Sequence, residues 1–222
     1  MGRRALPKAD PTLDVSRHFK ELTEFSPPFN MESLFDRPAP LEVEVGSGKG
    51  LFMVSASGRI PEHNFLGIEI AAKYSHHAAS RLKKAARSNA VMLHGDGLRL
   101  FREFLANNSV AAVHVYFPDP WWKKRHRKRR VMNEGLLRDI ERVLIPGGRL
   151  HFWTDVEEYF QSSLELIAAT VKLTGPLSVS ERAPEHDLDY RTHFERRMRM
   201  NGEPVYRSEF QKPAWPEQSP LP

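Results

Sequence analysis

Short apolar runs alternate with segments of helical periodicity along most of this chain, and this alternation restricts the fold more than any other feature of the sequence. Five of the runs have the length and composition of β-strands, and a segment with helical spacing separates each one from the next. Strand–helix units repeated in this way are joined by right-handed crossovers and form a parallel sheet. The strands are predicted at residues 41–45, 65–70, 90–94, 110–117 and 149–153.

Helices are predicted between these strands, and two further strands after them. Stretches near Leu177–Val179 and Val205–Phe210 have the composition of edge strands. The sequence therefore predicts an α/β fold with a doubly wound, mostly parallel sheet of seven strands and helices on both faces. In such sheets ligands bind beyond the carboxyl ends of the strands, at the switch point. The predicted helices run from the turn after residue 45 to about Ile60, over Lys73–Ala86 and Leu98–Ala106, from an Asn133 cap to Leu144, and over Val156–Val171.

The two ends of the chain differ from this repeating centre. Residues 1–40 hold six of the 17 prolines and little apolar periodicity, which indicates a partly flexible N-terminal extension in which Val15–Phe25 can be ordered. The composition of residues 213–222 indicates a flexible tail. Residues 41–212 are then predicted to form the main folded domain. The length of 222 residues suits one large domain or two small ones.

Composition excludes several classes of protein. The chain has no cysteine, which excludes disulfide scaffolds, thiolate zinc sites and cysteine nucleophiles. No run approaches the roughly 18 apolar residues of a membrane span, and the N-terminus lacks the apolar stretch of a signal peptide. We therefore expect a soluble, cytoplasmic protein with no membrane partner and no metal site.

Positive charge is concentrated in one part of the chain. The net charge is +5, and residues 123–130, with the sequence KKRHRKRR, hold seven lysines and arginines. We call residues 123–130 the basic segment; without it the chain would carry a net charge of −2. Because so many like charges repel one another, the segment requires an anionic partner or extensive solvent. A solvated loop and a localisation signal are the alternatives to a binding surface.

A glycine-rich turn ends the first predicted strand. Gly46, Gly48 and Gly50 alternate with other residues, which permits a tight turn and a close approach of the backbone to a ligand. Glu69 ends the second strand, where a carboxylate can accept hydrogen bonds from both ribose hydroxyls of an adenosine. The pattern by itself fits both a dinucleotide and S-adenosylmethionine.

Two details of this turn favour S-adenosylmethionine. The spacing is G-x-G-x-G, so the third glycine of the dinucleotide fingerprint is displaced. Glu44 stands beside the turn, where its carboxylate would repel a pyrophosphate but could hold an ammonium group, directly or through water. The structural alternatives are a mere turn and a solvated charge at Glu44. Asp96 follows the third strand and can contact the adenine amine, cap a helix, or do both.

The fourth predicted strand ends in a rigid acidic turn. Pro118 and Pro120 flank Asp119, so the backbone is restricted and one carboxylate projects from the strand end. Trp121 and the basic segment follow directly. Aromatic rings beside cations suit the stacking of bases and the attraction of phosphates. The combination predicts nucleic-acid binding next to the ligand site.

The segment FPDPWWKKRHRKRR closely resembles the signature of the bacterial single-subunit tRNA (guanine-N7-)-methyltransferases. The resemblance extends to EVGSGKG, to GIEI, to Thr154–Asp155 and to Thr192–Arg196, and it covers roughly residues 41–210. One departure is Trp122, where the family often has a small residue, proline or histidine. The resemblance implies a Rossmann-like class I methyltransferase fold with S-adenosylmethionine as methyl donor and S-adenosylhomocysteine as product. It also implies methylation of guanine N7 in the variable loop, at position 46 of the tRNA.

The resemblance further implies roles for individual residues. Asp119 is expected to be catalytic and to line the cofactor pocket. The other residues expected to bind the cofactor are Glu44, Glu69 and Asp96, together with the turn glycines Gly46, Gly48 and Gly50. The residues expected to bind the substrate are Lys123, Asp155, Thr192, Phe194 and Glu195, to which the basic segment adds Arg129 and Arg130 as phosphate contacts. Asp155 can instead cap the next helix, as can Thr154 paired with Glu157.

Guanine N7 carries a lone pair and no proton, so the methyl transfer itself requires no general base. We hypothesise that Asp119 accepts a hydrogen bond from the guanine N1–H or exocyclic amine, and that Lys123 holds a nearby phosphate or guanine O6. The predicted partner is tRNA, with no obligate protein partner and a monomer or homodimer as the assembly. The competing functions are a small-molecule methyltransferase, a nucleic-acid-binding module without activity, and, disfavoured by the glycine spacing, a nicotinamide dehydrogenase.

Overall fold

Eight strands form one sheet within the residues that the computed structural model describes, which are 6, 10, 12–179 and 190–214. The spatial order of the strands is β1-β4-β3-β2-β5-β6-β8-β7. The pairs from β1 to β6 are parallel, whereas β8 is antiparallel to both β6 and β7. In chain order they are β1 (Phe19–Glu21), β2 (Leu41–Val45), β3 (Asn64–Glu69), β4 (Ala90–His94), β5 (Val110–Tyr116), β6 (Leu144–Thr154), β7 (Thr174–Leu177) and β8 (Tyr206–Gln211).

Helices follow most of the strands. Three 3-10 turns lie outside these units, at Leu22–Glu24, Met31–Leu34 and Lys124–Arg129, and a π-helical turn, Leu100–Phe104, continues α3. The α-helices are α1 (Leu51–Arg59), α2 (Ala72–Lys84), α3 (Gly97–Arg99), α4 (Glu134–Val143), α5 (Glu157–Thr170) and α6 (His193–Met200).

Two hydrophobic clusters cover the two faces of the sheet. Alternate side chains of β2, such as Val43, pack with apolar residues of α4 and α5, including Leu137 and Ile167. A second cluster joins the sheet to α1 and α2 through residues such as Phe52 and Leu82. Because side chains alternate between the faces of a strand, buried central strands require apolar residues on both sides. The predicted doubly wound α/β fold is confirmed.

The switch point of the sheet lies beside β2. The chain adds β3 and then β4 on one side of β2, and it crosses to the other side to add β5 and β6. Connections therefore leave the carboxyl ends of β2 and β5 in opposite directions, which opens a crevice between them.

The predicted number of seven strands is wrong, because the N-terminal extension contributes an eighth. In β1, Phe19 pairs with Met92 and Glu21 with His94, so this strand extends the sheet beyond β4. The turns that follow bury Leu22 and Met31 in the larger cluster. Edge pairing by so short a strand leaves little apolar periodicity in the sequence, which is why the pattern did not reveal it.

Several element boundaries also differ from the prediction. The helix expected to reach Leu144 ends at Val143, and Leu144 instead pairs with Val110 at the start of β6. The register shifts after this pair, and Gly147 adopts φ +80°. The glycines after Pro146 therefore form an irregularity inside β6 rather than a break before it. The strand expected near Leu177–Val179 begins earlier, as β7.

The domain limits at residues 41 and 212 stay a prediction. Residues 215–222 of the expected tail lie outside the described residues. Among the helices that the structure describes, each is too short or too polar to cross a membrane.

Candidate active site

A cleft of about 590 Å³ opens at the carboxyl ends of β2, β3 and β5. It lies at the switch point, where the fold predicts a ligand site. Its walls come from the turn after β2, the end of β3, the segments after β4 and β5, and the first turn of α6. Among its lining residues are Glu44, Gly46, Gly48, Lys49, Glu69, Ile70, Asp96, Tyr116, Asp119, Trp121, Arg129, Thr192, Phe194 and Arg197.

The turn after β2 has the conformation that its glycines permit. Gly46 has φ +77° and Gly48 φ +54°, both in the left-handed region where a side chain would be strained. A Cβ on Gly46 would meet no atom within 4 Å. Space beside the backbone is therefore open to a ligand at this position.

Gly50 has a different reason for being glycine. It is the N-cap of α1 at φ +70°, and a Cβ there would lie 2.5 Å from the Cβ of Ala78 in α2. Gly50 is absent from the residues that line the cleft. Of the three predicted cofactor-binding glycines, this one serves the close packing of α1 against α2.

Glu69 is fixed by two backbone N–H groups. Its Oε2 accepts a hydrogen bond from Gly48 N at 2.9 Å, and its Oε1 accepts one from Ala71 N at 2.9 Å. The carboxylate thereby ties the glycine turn to the start of α2. Each oxygen retains a second lone pair, so Glu69 can still accept hydrogen bonds from a ligand in the cleft.

Glu44 is a buried acid with an unfilled hydrogen-bonding position. It is 3% exposed, and its Oε2 has no hydrogen-bond partner. Burial raises the pKa of Glu44 to about 8, and the nearby charge of Glu69 acts in the same direction, while the Ser47 side chain opposes it. A cation placed in the cleft would satisfy this carboxylate and favour its ionised form.

Asp96 caps a helix, as its sequence position suggested, and it also lies at the cleft. Its Oδ1 accepts a hydrogen bond from Leu98 N at 2.9 Å and thus caps α3. The residue is exposed and also lines the cleft. Capping uses Oδ1, so Oδ2 is not required for the cap.

The turn after β5 is strained at both ends. Phe117 has φ +50° and Trp121 φ +46°, and neither is a glycine. Such conformations cost about 1–3 kcal/mol each and persist where the surrounding structure enforces them. Phe117 N donates to Trp153 O at 2.8 Å, which continues the pairing of β5 with β6. Asp119, which lies between these two strained residues, is exposed and lines the cleft.

The basic segment forms a 3-10 turn beside the cleft. The guanidinium of Arg129 lies 5.1 Å from the ring centre of Trp121, and both residues line the cleft. Lys123 is exposed at the N-cap of the turn and is not among the lining residues. Arg127 forms an exposed ion pair with Glu158 at 2.6 Å. Most of this positive charge is therefore directed to solvent next to the cleft.

Arg130 points inward instead. Its Nε donates to Pro120 O at 2.7 Å, and its guanidinium lies 4.4 Å from the ring centre of Tyr159 in α5. The predicted phosphate contact at Arg130 is therefore also an anchor of the turn that carries Asp119.

Helix α6 and its N-cap supply part of the wall of the cleft. Thr192 is its N-cap, with Oγ1 accepting from Glu195 N at 3.0 Å. The ring of Phe194 stacks on Phe117 with centroids 6.0 Å apart, and Arg197 lies 4.9 Å from the centre of Phe194. Thr192, Phe194, Phe117 and Arg197 all line the cleft.

Glu195 is turned away from the cleft. It is 3% exposed, and its Oε2 accepts from Arg191 N at 2.6 Å. Its Oε1 lies 3.3 Å from Arg199 and 3.6 Å from Arg207. In this arrangement Glu195 joins α6 to β8, and a direct contact with substrate would require it to leave these partners.

Asp155 follows β6 and is half-buried, outside the residues that line the cleft. It does not cap α5. The N-cap is Val156 without a side-chain cap, and the Thr154 hydroxyl accepts from Val156 N at 3.3 Å. Neither capping alternative raised for Asp155 or for Thr154 with Glu157 is realised.

A buried polar chain beneath the cleft escaped the sequence reasoning. The rings of His63 and His114 approach Glu42 at 2.6 Å and 2.7 Å, and His114 also lies 2.8 Å from the Tyr116 hydroxyl. Arg191 donates to the same hydroxyl at 3.2 Å. Although burial acts to raise it, the hydrogen bonds from His114 and His63 lower the pKa of Glu42 to about 2. The signal was present as polar residues at alternate positions of central strands.

Comparison with known proteins gives consistent matches. A family model described as "Putative methyltransferase" matches residues 38–208. The tRNA (guanine-N(7)-)-methyltransferase of Rhodopirellula baltica is 51% identical over 218 residues, which are 96% of this chain and 80% of that protein. The protein of the same name from Myxococcus xanthus is 33% identical over 195 residues, or 88% of this chain and 94% of that protein.

A solved structure shares the architecture. The 16S rRNA methyltransferase KamB superposes with a TM-score of 0.60 and 17% sequence identity, covering 82% of this chain and 92% of that one. At this identity the likeness concerns the fold alone.

Proposed function

Since this chain belongs to the tRNA (guanine-N(7)-)-methyltransferase family, we propose that it transfers a methyl group from S-adenosylmethionine to N7 of the guanine at position 46, in the variable loop of tRNA. The family membership supports the donor, the class of acceptor and the N7 atom. The position in the tRNA and the roles of the residues are our inference.

One observation carries the proposal: Asp119 lines the same cleft as the glycine turn and Glu69. A donor site at the turn and an acceptor site at Asp119 would then share one enclosed space. Methyl transfer requires the two reactants in line at close range, and holding them together is worth several kcal/mol of the barrier.

The residues of the cleft fit S-adenosylmethionine. The unpartnered Oε2 of buried Glu44 suits the ammonium group of its methionine part. Glu69 suits the ribose hydroxyls, and Asp96, which lines the same cleft as the exposed Ile70, suits the adenine end. The open space at Gly46 accommodates the ligand chain. When bound, this group supplies an electrophilic methyl on a positively charged sulfur.

Asp119 would act on the acceptor base without removing a proton. The lone pair of guanine N7 attacks directly, and positive charge then grows on the purine ring. A carboxylate that accepts from guanine N1–H or the exocyclic amine fixes the base and stabilises that charge as it develops. The strained, proline-bounded turn and its anchor at Arg130 hold the carboxylate in place.

The surroundings of Asp119 suit a strand of RNA. Arg129 and Lys123 would attract phosphates that flank the target base. Thr192 and Phe194, which line the same cleft, would contact the nucleotide from α6.

Methylation of an unmodified tRNA transcript with labelled donor tests this function. Borohydride–aniline treatment cleaves RNA at 7-methylguanosine, and we expect one cut, at position 46. A transcript with adenine at that position is the matched control and should remain uncut. Incorporation of label without a cut, or a cut elsewhere, would contradict the proposed product or position.

A further inference from the structure

Four large apolar side chains are exposed among the described residues. They are Ile70 at 70%, Trp122 at 64%, Met200 at 65% and Phe194 at 37%. Ile70 and Phe194 line the cleft, and Trp122 directly follows Trp121, which also lines it. Exposed apolar groups that cluster at the rim of a site mark a surface that contacts a partner.

The two consecutive tryptophans have opposite surroundings. Trp121 contacts other side chains of the protein. It lines the cleft, packs edge-on to His126 at 5.8 Å and lies beneath the guanidinium of Arg129. Its positive φ turns the chain at this point. Trp122 is directed into solvent with about two thirds of its surface exposed. Exposing an indole to water forgoes a large hydrophobic stabilisation, so a side chain of this size at this position suggests a partner that covers it.

The charges next to Trp122 indicate the chemistry of that partner. Lys123, Lys124 and Arg125 follow it directly and are all exposed. A flat aromatic face beside exposed cations is the combination with which proteins bind single-stranded nucleic acid, since the ring stacks on a base while the cations attract the backbone. Unpaired loops are the parts of an RNA whose bases are free to stack in this way.

We propose that Trp122 stacks on an unpaired tRNA base adjacent to the methylated guanine. This inference rests on the proposed function. If the target guanine enters the cleft beside Trp121, the neighbouring residue, whose Cα lies about 3.8 Å farther along the chain, meets the neighbouring nucleotide. Trp122 would then hold the loop open beside the target.

The contribution of a stacked ring differs from that of a phosphate contact in a measurable way. Stacking involves no counterion release, so its loss weakens binding equally at every salt concentration. The steepness with which log K falls against log salt, here called the salt slope, decreases by about 0.7 to 0.9 when one phosphate contact is lost. Phenylalanine retains a π face, whereas leucine offers apolar surface without one.

The experiment measures the Kd of full-length tRNA by filter binding at four salt concentrations for the wild type, Trp122→Ala, Trp122→Phe and Trp122→Leu. We expect about ten-fold weaker binding for alanine and leucine, with an unchanged salt slope, and recovery to within about three-fold for phenylalanine. Lys124→Gln is the matched charge control and should lower the slope by about one. Met200→Ala removes a side chain of similar exposure at the end of α6 and should change little.

Alanine binding within two-fold of the wild type would overturn the stacking role, and so would leucine binding as well as phenylalanine. Calorimetry with S-adenosylmethionine checks that each variant is folded, and the comparison of leucine with phenylalanine stands even if alanine fails this check. A wild-type chain that does not methylate tRNA would refute the proposed function. Methylation by the wild type with no effect at Trp122 would refute this inference alone.

Discussion

Different interactions stabilise the two walls of the cleft. The wall made by β2, β3 and the glycine turn is fixed by backbone hydrogen bonds to Glu69 and by the burial of Glu44. The wall made by the turn after β5 and the basic segment is held by cation–π contacts, strained backbone and the anchor at Arg130. Its charged side chains are largely exposed.

This difference matches the ligands we assign to each wall. A small zwitterion offers few groups, so its site must place each partner accurately and before binding. A polyanion offers many phosphates, so exposed lysine and arginine side chains suffice to attract it. Only the acceptor base requires a fixed partner. We assign this fixed partner to Asp119, whose turn is anchored by the hydrogen bond from Arg130 Nε to Pro120 O.

The largest expected effect comes from removing the fixed group of the substrate wall. Asp119→Ala should lower kcat by about 100-fold or more, because a stabilising contact to the developing charge is lost. The affinity for S-adenosylmethionine should change by less than about three-fold. Single-turnover methylation together with calorimetry measures both quantities. A loss confined to cofactor affinity would mean that Asp119 binds the cofactor and not the acceptor base.

The second-largest effect comes from a change in the cofactor wall, which should affect cofactor binding but not tRNA binding. Glu69→Gln should weaken S-adenosylmethionine binding by about 10- to 100-fold, since hydrogen bonds to a charged acceptor contribute roughly 1.5–3 kcal/mol. Binding of tRNA in the absence of cofactor should not change. Glu62→Gln, at an exposed position just before β3, is the control and should leave both affinities intact. Equal weakening of both ligands by Glu69→Gln would indicate general damage to the fold.

The third effect distinguishes two adjacent arginines. Arg129→Gln should weaken tRNA binding several-fold and lower its salt slope by about one, with little change in melting temperature. Arg130→Gln should lower the melting temperature by several degrees, because it removes the contacts with Pro120 and Tyr159. Salt-dependent binding and thermal unfolding separate the two. An unchanged melting temperature for Arg130→Gln would mean that the inward anchor has no energetic role.

The smallest effect concerns pH. Burial raises the pKa of Glu44 from 4.5 to about 8, so the folded chain holds a proton that the unfolded chain releases above about pH 4.5. The contribution of Glu44 to stability therefore falls as pH rises from 4.5 to 8 and levels off above that range. Glu44→Gln removes this dependence, and its melting temperature should exceed that of the wild type by several degrees at pH 8.5 but not at pH 5.

Cofactor binding should reverse the effect at Glu44. An ammonium group favours the carboxylate, so the wild type should release a proton when it binds S-adenosylmethionine at pH 7, and Glu44→Gln should not. Calorimetry in buffers of different ionisation enthalpy counts this proton. Equal proton release by the two proteins would exclude Glu44 as the ammonium partner.

The order of strands and helices followed from periodicity, because buried parallel strands and amphipathic helices leave regular patterns. The short strand Phe19–Glu21 left none, since edge pairing depends on backbone hydrogen bonds rather than on side chains. Spacing placed Glu69, Asp96 and Asp119 at the cleft for the same reason that it placed the strands, because Glu69 ends a strand and the other two closely follow strand ends.

Side-chain direction could not be derived in this way. Gly50 and Glu195 match the family pattern, yet the first packs on Ala78 and the second is buried among arginines. The sequence gives no basis for assigning different roles to Arg129 and Arg130, which are adjacent and of the same type. Only their tertiary contacts distinguish them. These outcomes depend on which partners the fold brings near, which a local pattern does not contain.

The pH profile of the single-turnover rate, measured for the wild type and Asp119→Asn, tests the central claim most directly. If Asp119 only accepts a hydrogen bond from the base, both profiles should have the same shape between pH 5 and 9, with the variant slower throughout. An ionisation that governs the chemical step in the wild type and vanishes in the variant would show that Asp119 accepts a proton during transfer, and would contradict this account.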